Sequence, residues 1–315
     1  MTSTTTIRIA TRSSNLALWQ ARHISDLIRA VRPEMNVELI YVSTSGDRDQ
    51  SERLQDLGGL GVFTREVQVA LLDGRADLAV HSLKDLPTEP VEGLTLAATP
   101  TRGPSVDALV MPIHNPDANN WSQLPQGARV GTGSPRRQAQ LKHLRPDLKL
   151  LEVRGNVETR LHKLDEGQFD ALLLAAAGLT RLGLGNRISC SMGPPVLYPA
   201  VGQGAIGVEC RIQDELARTL LTRITDPETL AAVVAERSLL STLRAGCHAP
   251  LGAFTQVVHD RLYVEAVVLT IDGSKRWMAS ASGLTCDAKF LGQQVAQRLL
   301  LQGAQLALGG TNLPA

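Results

Sequence analysis

The stretch ADLAVHSLKDLP, residues 76–87, decides how the chain is read. Ala76 to Val80, apolar but for Asp77, reads as a strand. It opens directly into His81-Ser82-Leu83-Lys84-Asp85-Leu86-Pro87, a polar stretch closed by proline. Upstream, Phe63 to Leu72 has a helical pattern, and Val37 to Val42 and Ile7 to Ala10 are further strands. Between the first two strands a helix carries Leu16, Trp19, Ile24, Leu27 and Ile28 on one face. Strands alternating with helices predict βαβ units, a mostly parallel sheet and an α/β class.

The pattern then restarts. Ala128 to Gly131 reads as a strand, and Ser134-Pro135 opens a helix through Leu144, with serine as N-cap and proline at the first helical position. Lys149 to Val153 is another strand. Asn156 can cap a helix carrying Val157, Leu161 and Leu164, and Asp170 to Ala175 closes the series as a buried strand. Thr101-Arg102-Gly103-Pro104 and Met192-Gly193-Pro194-Pro195 are Gly/Pro punctuation suited to domain junctions. After residue 200 the character changes. A loop from Val201 enters a strand near Glu209, a long apolar helix runs from Pro227 to Leu243, and Cys247 follows a glycine. Tyr263 to Thr270 is strand-like, Ile271-Asp272-Gly273 a turn, and Phe290 to Leu301 a last helix. This third reads as a small α+β domain.

Composition narrows the function. Apolar residues are 43% and charged residues 20% of 315, ordinary for a globular protein. Lys plus Arg is 32 against 31 acidic residues, so no global field draws the chain to nucleic acid or membrane. Aromatics at 3% are too sparse for a base-stacking platform. The polar Met1 to Thr6 does not read as a secretory signal, and no apolar run approaches a membrane span. The four cysteines are far apart with no C-x-x-C pair, which predicts free thiols in a reduced, cytoplasmic setting and no zinc ribbon. No cluster has metal-ligand spacing, so no metal is expected.

Polar residues with chemical promise gather after strands. Arg12 follows the first strand, and Ser82, Lys84 and Asp85 follow the third. Thr132, Ser134, Arg136 and Arg137 follow the strand ending at Gly131, and Arg154 the one ending at Val153. Open α/β sheets bind ligands beyond the carboxyl ends of their strands, where helix N-termini favour anions. Arg and Lys there predict a ligand with several carboxylates. Arg136 and Arg137 in a first helical turn oppose the dipole, so something negative should compensate them. Asp85 before Leu86-Pro87 suits a turn as well as a site, and His81 reads as a core histidine with a satisfied partner. Cys247 in a glycine-flanked loop reads as an accessible thiol, whereas Cys190, Cys210 and Cys286 read as structural.

Several motifs, in order along the chain, resemble the signatures of the porphobilinogen deaminase family. They are Arg8-Ile9-Ala10-Thr11-Arg12-Ser13, His81 through Pro87, Ser134-Pro135-Arg136-Arg137, Arg154-Gly155-Asn156, Pro199 through Ala205, and Gly246-Cys247. The resemblance implies two periplasmic-binding-protein-like lobes with mixed, mostly parallel sheets, a cleft between them, and the small C-terminal α+β domain. It places the first domain at 1–103 with 199–222, the second at 104–198 and the third at 223–315.

The resemblance also implies a transferase. Four porphobilinogen molecules would be joined head to tail on a dipyrromethane held by a thioether to Cys247, each losing ammonia to an electron-poor azafulvene. Hydrolysis would then free the linear hydroxymethylbilane. Asp85 would be catalytic. Ser82, Lys84, Thr132, Ser134, Arg136 and Arg137 would bind the cofactor, and Arg12, Arg154, Arg160 and Arg181 the substrate. A monomer without nucleic-acid or membrane partners is implied. Leu60, Asp56, Gly133, Pro135 and His248 depart from the family's usual residues, which weakens a cationic-lid reading near residue 60. The rivals are a non-enzymatic carboxylate-binding receptor, an inactive paralogue, and a cysteine nucleophile using Cys247 with His248. Sequence neighbours rarely aim at each other, which disfavours the last.

Overall fold

The alternation of strands and helices builds two five-stranded sheets with the same pattern of parallel and antiparallel pairing. A computed structural model describes residues 5–43, 64–114, 120–246 and 249–308. The strands are β1 Thr6–Thr11, β2 Asn36–Tyr41, β3 Leu78–Ser82, β4 Leu94–Ala98, β5 Asp107–Val110, β6 Arg129–Gly131, β7 Lys149–Leu151, β8 Ala171–Ala175, β9 Cys190–Met192, β10 Ile206–Arg211, β11 Leu251–Val258, β12 Arg261–Leu269 and β13 Arg276–Leu284. The chain divides into two compact units, 1–103 with 205–230, and 104–204 with 231–315.

The first unit holds the sheet β2-β1-β3-β10-β4. β1 pairs in parallel with β2 and β3, while β10 enters antiparallel between β3 and β4. Four strands therefore run one way and one runs back. The helix Asn15–Val31 is capped by Ser14, whose Oγ accepts from Ala17 N at 3.4 Å. It buries Ile24 and Ile28 completely against Ile9, Leu78 and Val208, as its spacing predicts. Trp19 and Leu27 pack at the edge of that core. The helix Arg65–Leu72 covers the opposite face with Val67 and Leu71.

The second unit repeats the arrangement as β7-β6-β8-β5-β9, with β6 parallel to β7 and β8, and β5 antiparallel between β8 and β9. Ser134 caps the helix Pro135–Leu144 and Asn156 caps Val157–Asp165, as expected from their positions. The strand β5 and the returning β10 were not legible as antiparallel partners. Each is a short, largely buried run carrying one acid, and its direction only sheet pairing reveals.

The same unit carries a three-stranded antiparallel sheet, β11-β12-β13. The sequence pattern indicates only the middle strand, because β13 alternates alanine, serine and glycine and so carries little apolar contrast. The helix Ala288–Leu301 packs on this sheet through Leu291, Val295 and Leu299, beside Ala235 and Leu239 of the helix Pro227–Thr242. A Cβ on Gly292 would lie 2.1 Å from the Ala235 carbonyl oxygen, so the two helices meet backbone to backbone. The α/β class with mixed, mostly parallel sheets and a small C-terminal α+β portion is thus the observed one.

Candidate active site

In the first unit the carboxyl ends of β1 and β3 lie side by side, and polar residues collect there. A pocket is lined by Arg12, Ser14, Gln20, Thr64, Ser82 and Asp85, with Val80 and His81 in its wall. Asp85 ends a single turn, Leu83–Asp85, that follows β3. Leu83 and Leu86 are buried, Leu83 N donates to Ala205 O at 3.1 Å, and Leu86 N donates to Leu83 O at 3.1 Å. Anchoring both leucines leaves Lys84 and Asp85 half-exposed on a turn with little freedom to move.

The end of β3 is gripped from both faces. From one helix, Gln20 donates through Nε2 to Ser82 Oγ at 2.8 Å, and Ser82 Oγ donates back to Gln20 Oε1 at 3.2 Å. From the other, Gln68 Nε2 donates to Glu209 Oε2 at 2.9 Å. The same carboxylate oxygen lies 2.9 Å from His81 Nε2. Gln20 and Glu209 are buried, so their hydrogen bonds fix their rotamers, whereas the buried His81 Nε2 makes no aligned hydrogen bond among the described residues. Thr64 Oγ1 is buried in the pocket wall and has no hydrogen-bond partner among the described residues.

In the second unit the β6 end delivers Thr132, Ser134 and two arginines. Ser134 N donates to Thr132 Oγ1 at 3.3 Å, which ties the turn into the helix. Arg136 and Arg137 are buried at 4% and 6% exposure, and Asp107 at 0%. Asp107 accepts from Arg136 Nη1 at 2.7 Å and from Arg137 Nη2 at 2.7 Å, and Gln203 Nε2 adds a bond of 2.9 Å. Burial alone would raise the Asp107 carboxyl, but the two guanidiniums hold it far below the usual carboxylate range. The expected compensating anion therefore exists, yet one carboxylate faces two cations. The guanidiniums also donate to the Tyr198 and Leu173 carbonyls, the cluster keeps one excess positive charge, and Arg136 Nε has no hydrogen-bond partner among the described residues.

The remaining predicted cations lie after neighbouring strands of that sheet. Arg154 follows β7 and donates to Glu152 at 2.8 Å, while Arg160 donates through Nε to Gly155 O at 2.8 Å. Arg181, at the end of the helix Ala176–Arg181 after β8, donates to Gly204 O at 2.7 Å. Desolvation brings its guanidinium down to about 10, which leaves it charged at neutral pH. Arg12, Ser82, Lys84 and Asp85 thus belong to the first unit, and Thr132, Ser134, Arg136, Arg137, Arg154, Arg160 and Arg181 to the second. Cys247 and His248 lie outside the described residues, as do Asp56 and Leu60. Among the described residues, no group of three or more His, Cys, Asp or Glu could hold a metal ion, and no helix is long and apolar enough to cross a membrane.

Gln20, Gln68, Asp107, Gln203 and Glu209 escaped the sequence reading. The signal for two of them was present: Asp107 in SVDALV and Glu209 in AIGVECR are acids inside apolar strand patterns. A charge in such a place is buried and must have a partner. The glutamines carry no comparable signal.

These features define an α/β protein with polar and cationic side chains gathered beyond the carboxyl ends of its strands. Residues 7–219 match the family model described as porphobilinogen deaminase, dipyrromethane cofactor binding domain, and residues 230–301 match the porphobilinogen deaminase C-terminal domain. The chain belongs to the porphobilinogen deaminase family. It is a transferase acting on porphobilinogen in tetrapyrrole biosynthesis, with the activity of a hydroxymethylbilane synthase, and the receptor reading is not favoured.

Among solved structures, the chain is similar to the periplasmic sulfonate-binding protein SsuA of Methylobacillus flagellatus KT at 17% identity. That match covers 78% of this chain and 69% of the other, with a TM-score of 0.39. For the aliphatic sulphonate binding protein SsuA of Escherichia coli the identity is 14%, the coverage 77% and 71%, and the TM-score 0.38. For the periplasmic VFT2 domain of Bordetella pertussis BvgS the values are 19%, 72% and 92%, and 0.41.

The residues present fit the family's dipyrromethane. Its carboxylates call for cationic donors in excess of the protein's own anions, which the cluster of Arg136, Arg137 and Asp107 supplies together with the orphaned Arg136 Nε.

Proposed function

We propose that Asp85 is the catalytic carboxylate and that Cys247 anchors the dipyrromethane through a thioether. Ser82, Lys84, Thr132, Ser134, Arg136 and Arg137 hold its carboxylates, and Arg12, Arg154, Arg160 and Arg181 hold those of incoming porphobilinogen. The observation that carries this reading is the excess positive charge left when Arg136 and Arg137 share Asp107. An uncompensated charge in a buried cluster is costly unless a ligand completes it.

When bound, the dipyrromethane supplies the nucleophilic carbon on which the pyrrole chain is built. Asp85 accepts hydrogen bonds from pyrrole N–H groups and stabilises the positive charge that develops as ammonia departs. The arginines separate and neutralise carboxylates that would otherwise repel one another, and their planar forks fix the rings in register. Gln20 keeps Ser82 in one rotamer, so that its hydroxyl meets the ligand without reorganisation.

The same proposal divides the chain into three domains, 1–103 with 199–222, 104–198 and 223–315. It makes the protein a cytoplasmic monomer without nucleic-acid or membrane partners. Intact-mass measurement of the purified protein beside Cys247→Ala tests the anchor. A mass excess of two porphobilinogen units less two ammonias, absent in the variant, is expected. A bare polypeptide mass that stays unchanged after incubation with porphobilinogen would overturn the assignment.

A further inference from the structure

The two buried arginines that share Asp107 each donate to a backbone carbonyl as well. Arg137 Nη1 donates to Leu173 O at 2.9 Å, and Arg136 Nη1 donates to Tyr198 O at 2.6 Å. Leu173 lies within β8, where the sheet ladder fixes its carbonyl. Tyr198 lies in neither a helix nor a strand, so no ladder fixes its main chain. Gln140 takes that place. It follows Arg136 by one turn in the helix Pro135–Leu144 and is 4% exposed. Its Nε2 donates to Tyr198 O at 3.0 Å, and its Oε1 accepts from Tyr198 N at 2.8 Å.

The three-stranded sheet holds the ring of the same tyrosine. The hydroxyl donates to Glu265 Oε2 on β12 at 2.9 Å. Burial, and then the Glu265 carboxylate, push the phenol up to about 12, which keeps that proton in place. Gly252 on β11 passes so close that a Cβ there would lie 2.5 Å from the Tyr198 Cβ, and the ring packs with Ala139, Val267 and Leu269. Ring packing accounts for a buried tyrosine. It does not account for a glutamine that commits both ends of its amide to one residue's main chain. A carbonyl oxygen has two lone pairs, and at Tyr198 Gln140 and Arg136 are the two donors.

We infer that Gln140 is a positioning residue of the cofactor site: by gripping the Tyr198 main chain it sets the orientation of the Arg136 guanidinium. This rests on the reading that Arg136 holds a carboxylate of the dipyrromethane. A planar fork recognises a carboxylate only when its plane is set. Asp107 sets it incompletely, because its Oδ1 also accepts from Arg137 and Gln203 and lies 3.2 Å from Arg136 Nη2. The Tyr198 carbonyl is the further fixed point, and Gln140 is what fixes it. The sheet that holds the tyrosine ring begins at Leu251, shortly after Cys247 in the chain. The grip on the ligand's carboxylate is therefore built on the element that follows its anchor.

The test follows cofactor attachment rather than turnover. The full chain, produced without porphobilinogen, is mixed with porphobilinogen, and intact mass records how fast the bare chain disappears. Gln140→Met, close in size but unable to hold Tyr198, is expected to slow this by at least about tenfold. Phe254→Leu trims the same core around Tyr198 without touching its main chain. It should lower the urea midpoint as Gln140→Met does, yet leave the rate within about threefold of wild type. In ¹⁵N-labelled apoprotein, the Arg136 guanidinium, assigned by its absence from Arg136→Lys, should show separate Nη resonances that move toward one averaged position in Gln140→Met. If Gln140→Met fails to fold, Gln140→Glu decides by both readouts, since a glutamate still accepts from Tyr198 N but cannot donate to its carbonyl.

A wild-type attachment rate in Gln140→Met, an equal slowing in Phe254→Leu, or unchanged Arg136 resonances would each overturn the inference. Arg136→Lys separates the two readings: slowed attachment there with none in Gln140→Met sinks only this inference. Normal attachment in Arg136→Lys removes the assignment of Arg136 to the cofactor itself.

Discussion

Asp107 Oδ2 lies 2.7 Å from Arg136 Nη1, with both side chains withdrawn from solvent. The pair is a structural joint as well as a charge source, because Arg137 and Gln203 use the same carboxylate. Removing it leaves two buried cations without their anion, the situation in which broken buried pairs cost most. Asp107→Ala is expected to destabilise the second unit by about 3–5 kcal/mol, read as a lower urea midpoint.

The same carboxylate predicts a pH dependence. Its folded value is depressed, so it contributes stability that is complete above the unfolded carboxyl's ordinary value of about 4. That contribution is lost as pH falls toward the folded value, since the unfolded chain takes up the proton first. Urea midpoints measured from pH 6 down to about pH 3 should fall more steeply in wild type than in Asp107→Asn.

At Asp85 the expected loss is kinetic. A carboxylate about 4 Å from a unit positive charge gains about 4 kcal/mol at an effective dielectric near 20, roughly a thousandfold in rate. Asp85→Asn should reduce kcat by about that factor while intact mass shows the cofactor still attached. Turnover close to wild type would mean that another group stabilises the cation.

Gln20→Leu tests whether Ser82 needs its holder. Leucine fills similar space but leaves the serine hydroxyl free to rotate, so one oriented contact to ligand is weakened. KM should rise about tenfold, equivalent to about 1.4 kcal/mol, with kcat within about threefold. Equal losses in both parameters would point to a role in the transition state instead.

Gly292→Ala addresses the C-terminal core. With the new methyl 2.1 Å from the Ala235 carbonyl oxygen, backbone must yield, as no flexible side chain is there to move. A loss of about 2–3 kcal/mol in urea unfolding is expected, with cofactor attachment retained in the folded fraction.

Much of this was open to inspection in the residues alone. Ser134 before Pro135 and Asn156 before Val157 marked two helix starts, because caps act within one turn of chain. The run from His81 to Pro87 announced a polar turn after a buried strand, and the ordered motifs carried the family. The three-strand sheet was half hidden, since β13 alternates residues too similar in polarity to display a period.

The residues alone thus carry what is local or inherited: strand and helix periods, caps, and motif identity with the chemistry that travels with it. Tertiary structure alone decided the partners. Asp107 is 29 residues from Arg136 and 96 from Gln203, and Glu209 is 141 from Gln68. No local pattern encodes such distances, because they arise only when β5 and β10 insert antiparallel into sheets assembled from elsewhere in the chain. Burial then turns those meetings into obligations: a charge without water requires whichever partner the fold has delivered.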